Sequence, residues 1–200
     1  VTRVIATMSI SLDAVGSGHN QTEERPFGDV APEDLHRWMF DTPDESRAEI
    51  DAIVSAGAYI MGRNMFGPVR GEWTGDWRGW WGPNPPYHRP VFVLTHHPRE
   101  SLEVEGGTTF HFVTDGIHAA LERAKDAAGD GTVHIAGGPT TANAYLAAGL
   151  VDELMLQISP TVIGGGLRLF DGVGPLELEQ ISVRPVSLAT HVRYRVVRPE

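Results

Sequence analysis

The chain alternates short runs of β-branched and aromatic residues with stretches of helical periodicity, an order that fits an α/β sheet and few other architectures. Extended runs are expected at about residues 1–11, 58–61, 91–95, 109–113, 132–136 and 154–158. Helices fall between them. Pro32 opens one over 33–40 from the first-turn position that proline favours, and the acidic residues behind it complement the helix dipole. A second, over 44–55, sets Ala48, Ile50, Ile53 and Val54 on one apolar face and stops at Gly57. Ile117, Ala120, Leu121, Ala124 and Ala128 repeat at helical spacing behind Asp115, and a further helix is expected over 140–148. Near the end Val192, Tyr194 and Val196 alternate with His191, Arg193 and Arg195, the pattern of a strand with one wet face. The expected fold is therefore α/β, with a mixed sheet that is mostly parallel and closes on an antiparallel C-terminal strand. No repeat or linker interrupts it, so residues 1–200 are read as a single domain.

Charge narrows the partners. Lys and Arg number 16 against 26 Asp and Glu, and the resulting net charge of -10 repels nucleic acid and anionic membrane, both of which are held by clustered cations. A small-molecule partner is expected instead. If that molecule is an anion, the few cations near it must be locally concentrated. No apolar run is long enough to cross a bilayer, and the first ten residues lack a basic leader and cleavage site, so they read as a strand and a cytoplasmic location is expected. The chain has no cysteine, which removes disulfides, thiolate metal sites and a cysteine nucleophile. Nine histidines show no metal-ligand spacing, and the adjacent His96 and His97 point to opposite faces of an extended segment, so no metal is expected.

Three strand ends carry the chemistry. In Val133-His134-Ile135-Ala136-Gly137-Gly138-Pro139-Thr140-Thr141 two glycines let backbone approach a ligand, and the helix start that follows attracts phosphate. A tight strand-to-helix connection is the other account, and the segment lacks the G-x-G-x-x-G spacing of dinucleotide folds. Tyr59-Ile60-Met61-Gly62-Arg63-Asn64 repeats the design, with an arginine able to fork onto phosphate oxygens or simply to cap a turn. The strand at 91–95 ends in Thr95-His96-His97-Pro98-Arg99, beyond the carboxyl end of a strand, where open α/β sheets bind ligands. Together the three supply the local cation concentration that an anionic ligand requires.

These residues resemble a known group. Met61-Gly62-Arg63-Asn64-Met65-Phe66 is similar to the Met-Gly-Arg-x-Thr-Trp segment of dihydrofolate reductases, and Ile135-Ala136-Gly137-Gly138 to their Ile-Gly-Gly turn. Ser9-Ile10-Ser11-Leu12-Asp13 resembles the Ser-Leu-Asp-Gly segment of the reductase domain of the bifunctional riboflavin-biosynthesis deaminase/reductase and its stand-alone relatives. Leu150-Val151-Asp152-Glu153-Leu154, the stretch 159–166 and Leu169-Phe170 resemble their C-terminal signature. The likeness spans most of the chain. It implies a three-layer α/β/α dihydrofolate reductase-like fold, a homodimer, and NADPH as cofactor. Gly62, Arg63 and Asn64 would meet its phosphates, Thr95 and His96 its adenosine ribose phosphate, and Gly137, Gly138, Pro139 and Thr140 its pyrophosphate and nicotinamide side. Asn64 stands where dihydrofolate reductases often carry a second basic residue, which leaves the choice of NADPH over NADH to Arg63 and His96.

Hydride transfer to a C=N or C=O bond also needs a proton. Asp13 is the candidate acid, matched to the riboflavin-type motif although Ala14 replaces its glycine; a turn-forming aspartate is the alternative. Glu45 and Glu49, or water, are the other sources, and a solvated helix face is the better account of the two glutamates. Residues 71–89 hold four of the five tryptophans and read as a functional loop that walls a substrate pocket or meets a second subunit, against a loop packed on itself. Gly164-Gly165-Gly166 suits either a phosphate nest or a turn. The leading function is an NADPH-dependent oxidoreductase acting on a pterin-, pyrimidine- or carbonyl-type molecule, and the alternative is a non-catalytic dinucleotide- or ligand-binding protein.

Overall fold

The computed structural model describes residues 2–30 and 33–198. Expectations placed on Val1 and on Pro32 with the acidic side chains behind it lie outside the described residues. Strands β1 (Val4–Ile10), β3 (Ala58–Gly62), β4 (Pro90–Leu94), β6 (Thr109–Val113), β7 (Val133–Gly137) and β8 (Glu153–Ile158) form the parallel centre of a nine-stranded sheet. Their order is β8-β1-β7-β3-β4-β6, and all carboxyl ends share one edge. Beyond β8 lie the antiparallel strands β11 (Thr190–Val197) and β10 (Glu177–Pro185), while the two-residue β5 (Leu102–Glu103) closes the other side. A small second sheet pairs β2 (Val15–Ser17) with β9 (Leu167–Arg168).

β1 is buried on both faces, as a strand in a parallel centre must be. Val4, Ala6, Met8 and Ile10 join Ala120, Leu121 and Ala124 of α4 (Gly116–Ala128) and Ala142, Tyr145 and Leu146 of α5 (Pro139–Ala147) in the larger core. The opposite face is covered in two parts. Over β1, β8 and β11 lies α1 (Glu33–Phe40), fastened by fully buried Leu35 and Trp38, of which the leucine alone contributes roughly 1.5–3 kcal/mol. Over β3, β4 and β6 lies the tryptophan-rich segment. Trp73 packs edge-on against Phe66 and Phe112, and the Trp77 indole donates to the Phe66 carbonyl at 2.8 Å. A loop thus stands in for a helix in the third layer, and it is neither a free surface loop nor packed on itself alone.

The helix expected over 44–55 splits into a 3-10 turn (Pro43–Ser46) and α2 (Arg47–Val54). Its expected apolar face does not reach the core: α2 buries none of its residues, and Ala48 and Val54 are exposed. Polar contacts hold it instead. Glu49 is paired with Arg184, Glu45 takes the Ser187 amide and hydroxyl at 2.8 Å each, and the Ser46 hydroxyl lies 2.9 Å from His191 Nε2.

Candidate functional site

The register sets the three strand ends side by side. Met61 pairs with Gly137 and Gly62 with Leu94, so the turns after β7, β3 and β4 leave neighbouring strands at one level. Gly137 has φ 124, a conformation glycine alone adopts readily, and is joined to Gly138 by a cis peptide bond. A side chain at Gly137 would press on the sulfurs of Met8 and Met65, 3.2 Å from each, whereas nothing lies within 4 Å of one at Gly138. Gly138 therefore borders open space. It also precedes α5, whose first turn starts at the buried Pro139 and has no side-chain cap, leaving the amides at Thr140 and Thr141 to an incoming acceptor.

Gly62 behaves differently. Its missing side chain would strike the Thr141 hydroxyl, so the glycine lets β3 close against α5 and contributes packing rather than open backbone. Arg63 begins the four-residue helix α3 (Arg63–Phe66) and stacks its guanidinium 3.8 Å above the Trp73 ring. Its Nε and one terminal nitrogen are buried without a hydrogen-bond partner among the described residues. Burial, with Arg70 and Arg99 close by, pushes its pKa below the ordinary arginine value. An arginine in that condition is prepared for an anion. The Asn64 side chain is exposed, and its carbonyl accepts from Gln21 Nε2 at 2.8 Å, which ties the loop 18–30 to α3.

The Thr95 hydroxyl is spent within its own turn, on the amide of His97 at 3.1 Å and its carbonyl at 3.3 Å. His96 is exposed. His97 anchors the tryptophan segment: its Nδ1 lies 3.0 Å from Glu72, and its carbonyl accepts the Trp73 indole at 2.8 Å. Nothing in the sequence distinguished the two histidines beyond the opposite faces they take.

The candidate acid is surrounded by hydrogen-bond donors. Asp13 accepts from the Ser11 hydroxyl at 2.6 Å, the Ile163 amide at 3.1 Å and the Gly164 amide at 2.8 Å, with Arg168 at 3.5 Å. These donors, the Ser11 hydroxyl first, hold its carboxyl far below the usual carboxylate range. Asp13 is a latch. It also occupies the Gly164 amide, so a phosphate nest at Gly164–Gly166 loses one of its donors. Glu45 and Glu49 are bound to the turn and strand of the β10–β11 hairpin, away from Gly137. What sequence reasoning missed lies on the sheet face under α1. Trp38 Nε1 donates to the Ser9 hydroxyl at 3.1 Å, Gln157 is buried beside it, and Thr7 on the same face of β1 has a buried hydroxyl without a partner among the described residues.

Among the described residues no cluster of His, Asp and Glu is placed to hold a metal, and no helix is long and apolar enough to cross a membrane. The sequence matches the model of the RibD C-terminal domain over residues 2–192. No curated protein matches it significantly. Among solved structures, a protein named for riboflavin biosynthesis from Shewanella sp. PV-4 superposes with TM-score 0.66 at 22% identity, covering 98% of this chain and 100% of that one. RibD from Acinetobacter baumannii gives 0.62 at 15% identity over 98% of this chain, which spans only 58% of that longer protein. Dihydrofolate reductase from Enterococcus faecalis, solved with NADP(H), gives 0.58 at 15% identity over 97% and 96% of the two chains. At these identities the structures testify to a shared fold, and the match over residues 2–192 makes the chain a member of the RibD C-terminal domain family, with a dihydrofolate reductase-like architecture.

Proposed function

We propose that the chain is an NADPH-dependent reductase that passes hydride to a C=N or C=O bond of a small substrate. One observation carries this: the strand β3 leads into Arg63, with two partnerless buried nitrogens, and its neighbour β7 leads into the open backbone at Gly138 and the uncapped start of α5, in an acidic protein. Those groups fit a dinucleotide. In this reading Arg63 grips a phosphate, the first-turn amides of α5 and the Gly137–Gly138 backbone hold the pyrophosphate and nicotinamide end, and Thr95 and His96 border the adenosine ribose. NADPH would supply the hydride there. The chain's own residues bind and orient it, and Trp73 keeps water from one face of the Arg63 guanidinium. Since Asp13 is bound in its latch and Glu45 and Glu49 are engaged elsewhere, the proton comes from water.

Titration of the purified protein with NADPH, followed by tryptophan fluorescence and calorimetry, tests the reading. Saturable binding is expected, and Arg63→Gln should weaken it about 10- to 100-fold, the worth of a charge-assisted hydrogen bond. NADH, lacking the extra phosphate, should bind more weakly to the native protein and suffer less from the substitution. Absence of NADPH binding by both methods would end the proposal. A binding protein without turnover is the second reading, favoured by the commitment of Asp13 to its latch; it predicts binding with no acceptor-dependent NADPH consumption. We further propose a homodimer, with exposed Ile181 and Val183 on the edge strand β10 as the surface a second copy would cover. A monomer mass by light scattering would refute that part.

A further inference from the structure

Helix α2 is tied to the sheet at both of its ends. Ser46 precedes its first turn, where a serine hydroxyl ordinarily caps the free amides. It makes no such cap here, and its hydroxyl lies instead 2.9 Å from Nε2 of His191 on β11. At the other end the Ile53 carbonyl, a last-turn acceptor that the helix cannot satisfy itself, takes the Tyr59 hydroxyl at 3.1 Å and the ring of His134 on β7. Both rings are buried, 4% exposed for His191 and 2% for His134, and Nδ1 of each has no hydrogen-bond partner among the described residues. Since α2 buries none of its own residues, little apolar area supports these two contacts. The Glu49–Arg184 pair and the bonds from Ser187 to Glu45 complete the attachment.

The groups around each ring set the effect of a proton. His191 faces Glu49 of α2, 4.0 Å from Nε2, Arg184 of β10, the Trp38 ring of α1 edge-on at 5.0 Å, and Gln157 across the ladder on β8. His134 faces Tyr59 of β3, Glu153 of β8 and Arg193 of β11. Burial pushes both rings below the ordinary histidine value, His134 to about 4, and the two carboxylates offset only part of this. Each is already engaged by arginine, Glu49 by Arg184 and Glu153 by Arg193 at 2.7 Å and Arg3 at 2.9 Å. A proton on either ring would also put a second N–H, at Nδ1, where no acceptor waits. Once α2 lifts away the rings meet water and take up protons near 6.5, so lifting binds protons and is favoured as pH falls below that value.

We infer that His134 and His191 make α2 an acid-released clasp: the neutral rings pin the helix at its two ends, and protonation lets it leave the sheet while the parallel strands stay folded. The movement reaches α1 as well, because Trp38 packs edge-on against His191. The pins are the only part of the attachment that titrates between neutrality and pH 5, since the carboxyl of Glu49 is held below its ordinary value despite burial, through Arg184 and His191.

Hydrogen exchange of the full chain, followed by mass spectrometry at pH 7, 6 and 5 and corrected for the pH dependence of the intrinsic rate, tests the clasp. Protection of the amides in 47–55 should fall about 20-fold or more between pH 7 and pH 5, the effect of one ring released from about 4 to 6.5. Amides of α5 and β4 should change by less than about threefold. His134→Phe should cancel about 20-fold of the fall at 47–55, and His191→Phe should reduce it as well. The native protein decides even if neither variant folds: protection at 47–55 that is independent of pH, or that is lost in step with α5 and β4 because the whole fold opens, overturns the inference. So does an undiminished fall in both variants.

Discussion

His134 gives the sharpest quantitative test of the fold. It lies on β7 under the end of α2, 2% exposed, with its ring edge-on to Tyr59 at 6.0 Å. Burial pushes its pKa down to about 4 from 6.5; a hydrogen bond to the Ile53 carbonyl opposes this, Arg193 adds to it and Glu153 opposes it. A depressed histidine is neutral in the fold while the unfolded chain already takes up a proton. Stability is therefore present above the unfolded value and is lost as pH falls from 6.5 toward 4. At about 1.4 kcal/mol per pH unit, the loss from this one group is about 2 kcal/mol between pH 7 and pH 5 and about 3 kcal/mol by pH 4. Carboxylates such as Glu153, held below their ordinary values by Arg193 and Arg3 despite the opposing cost of burial, lose their contribution at lower pH, so the window from 7 to 5 belongs mainly to buried histidine. Buried His191 is depressed by the same cause and adds a loss of the same sign. The variant His134→Phe keeps an aromatic ring against Tyr59, and the Ile53 carbonyl retains the Tyr59 hydroxyl at 3.1 Å. Urea unfolding of both proteins at pH 7 and pH 5, at one ionic strength, should show the native protein losing about 2 kcal/mol more than the variant, or about 4–8 °C in Tm. Parallel losses in the two proteins would refute the account of His134 as buried and neutral.

Other substitutions probe the remaining parts. Gly67→Ala drives a methyl into the Trp77 indole and should cost about 1–3 kcal/mol in urea unfolding while altering the near-ultraviolet dichroism of the Trp77–Trp80 pair; an unchanged spectrum would mean the segment is not seated as described. Asp13→Asn should speed hydrogen exchange at the Ile163 and Gly164 amides, measured by mass spectrometry, and leave NADPH affinity within about threefold, since it loosens the latch without touching the cradle. In Gly138→Ala the new methyl meets no protein atom within 4 Å, so Tm should shift by less than about 4 °C while NADPH affinity falls about tenfold or more; unchanged affinity would remove Gly138 from the site.

The central sheet was legible because its strands are buried on both faces and end in glycine or small polar residues, and the bounds of α1 and β6 coincide with those expected. Strand β10 was not, since most of its residues are exposed on both faces and no alternation survives to mark it. The apolar face assigned to α2 failed for a related reason: periodicity reports that a face exists and cannot tell that ion pairs to a distant hairpin hold the helix. Asp13 was recognised as special, but its partners at 163, 164 and 168 are about 150 residues away, so its role as an acceptor could not be inferred locally. The tryptophans were visible as a group. Their use as a sheet cover depended on Phe66, Phe110 and Phe112 turning the same way from other elements, which spacing alone does not reveal.

The position of β1 has a consequence for synthesis. Its neighbours in the sheet start at Val133 and Glu153, so β1 leaves the ribosome well before either strand that flanks it. At about 5–20 residues per second, roughly 7–30 s separate its emergence from that of its second neighbour. During that interval a strand buried on both faces in the fold has no permanent place, and the half of the sheet from β3 to β6 can assemble before it. Shielding of β1 until residues 133–158 have been made would therefore favour the yield of folded protein.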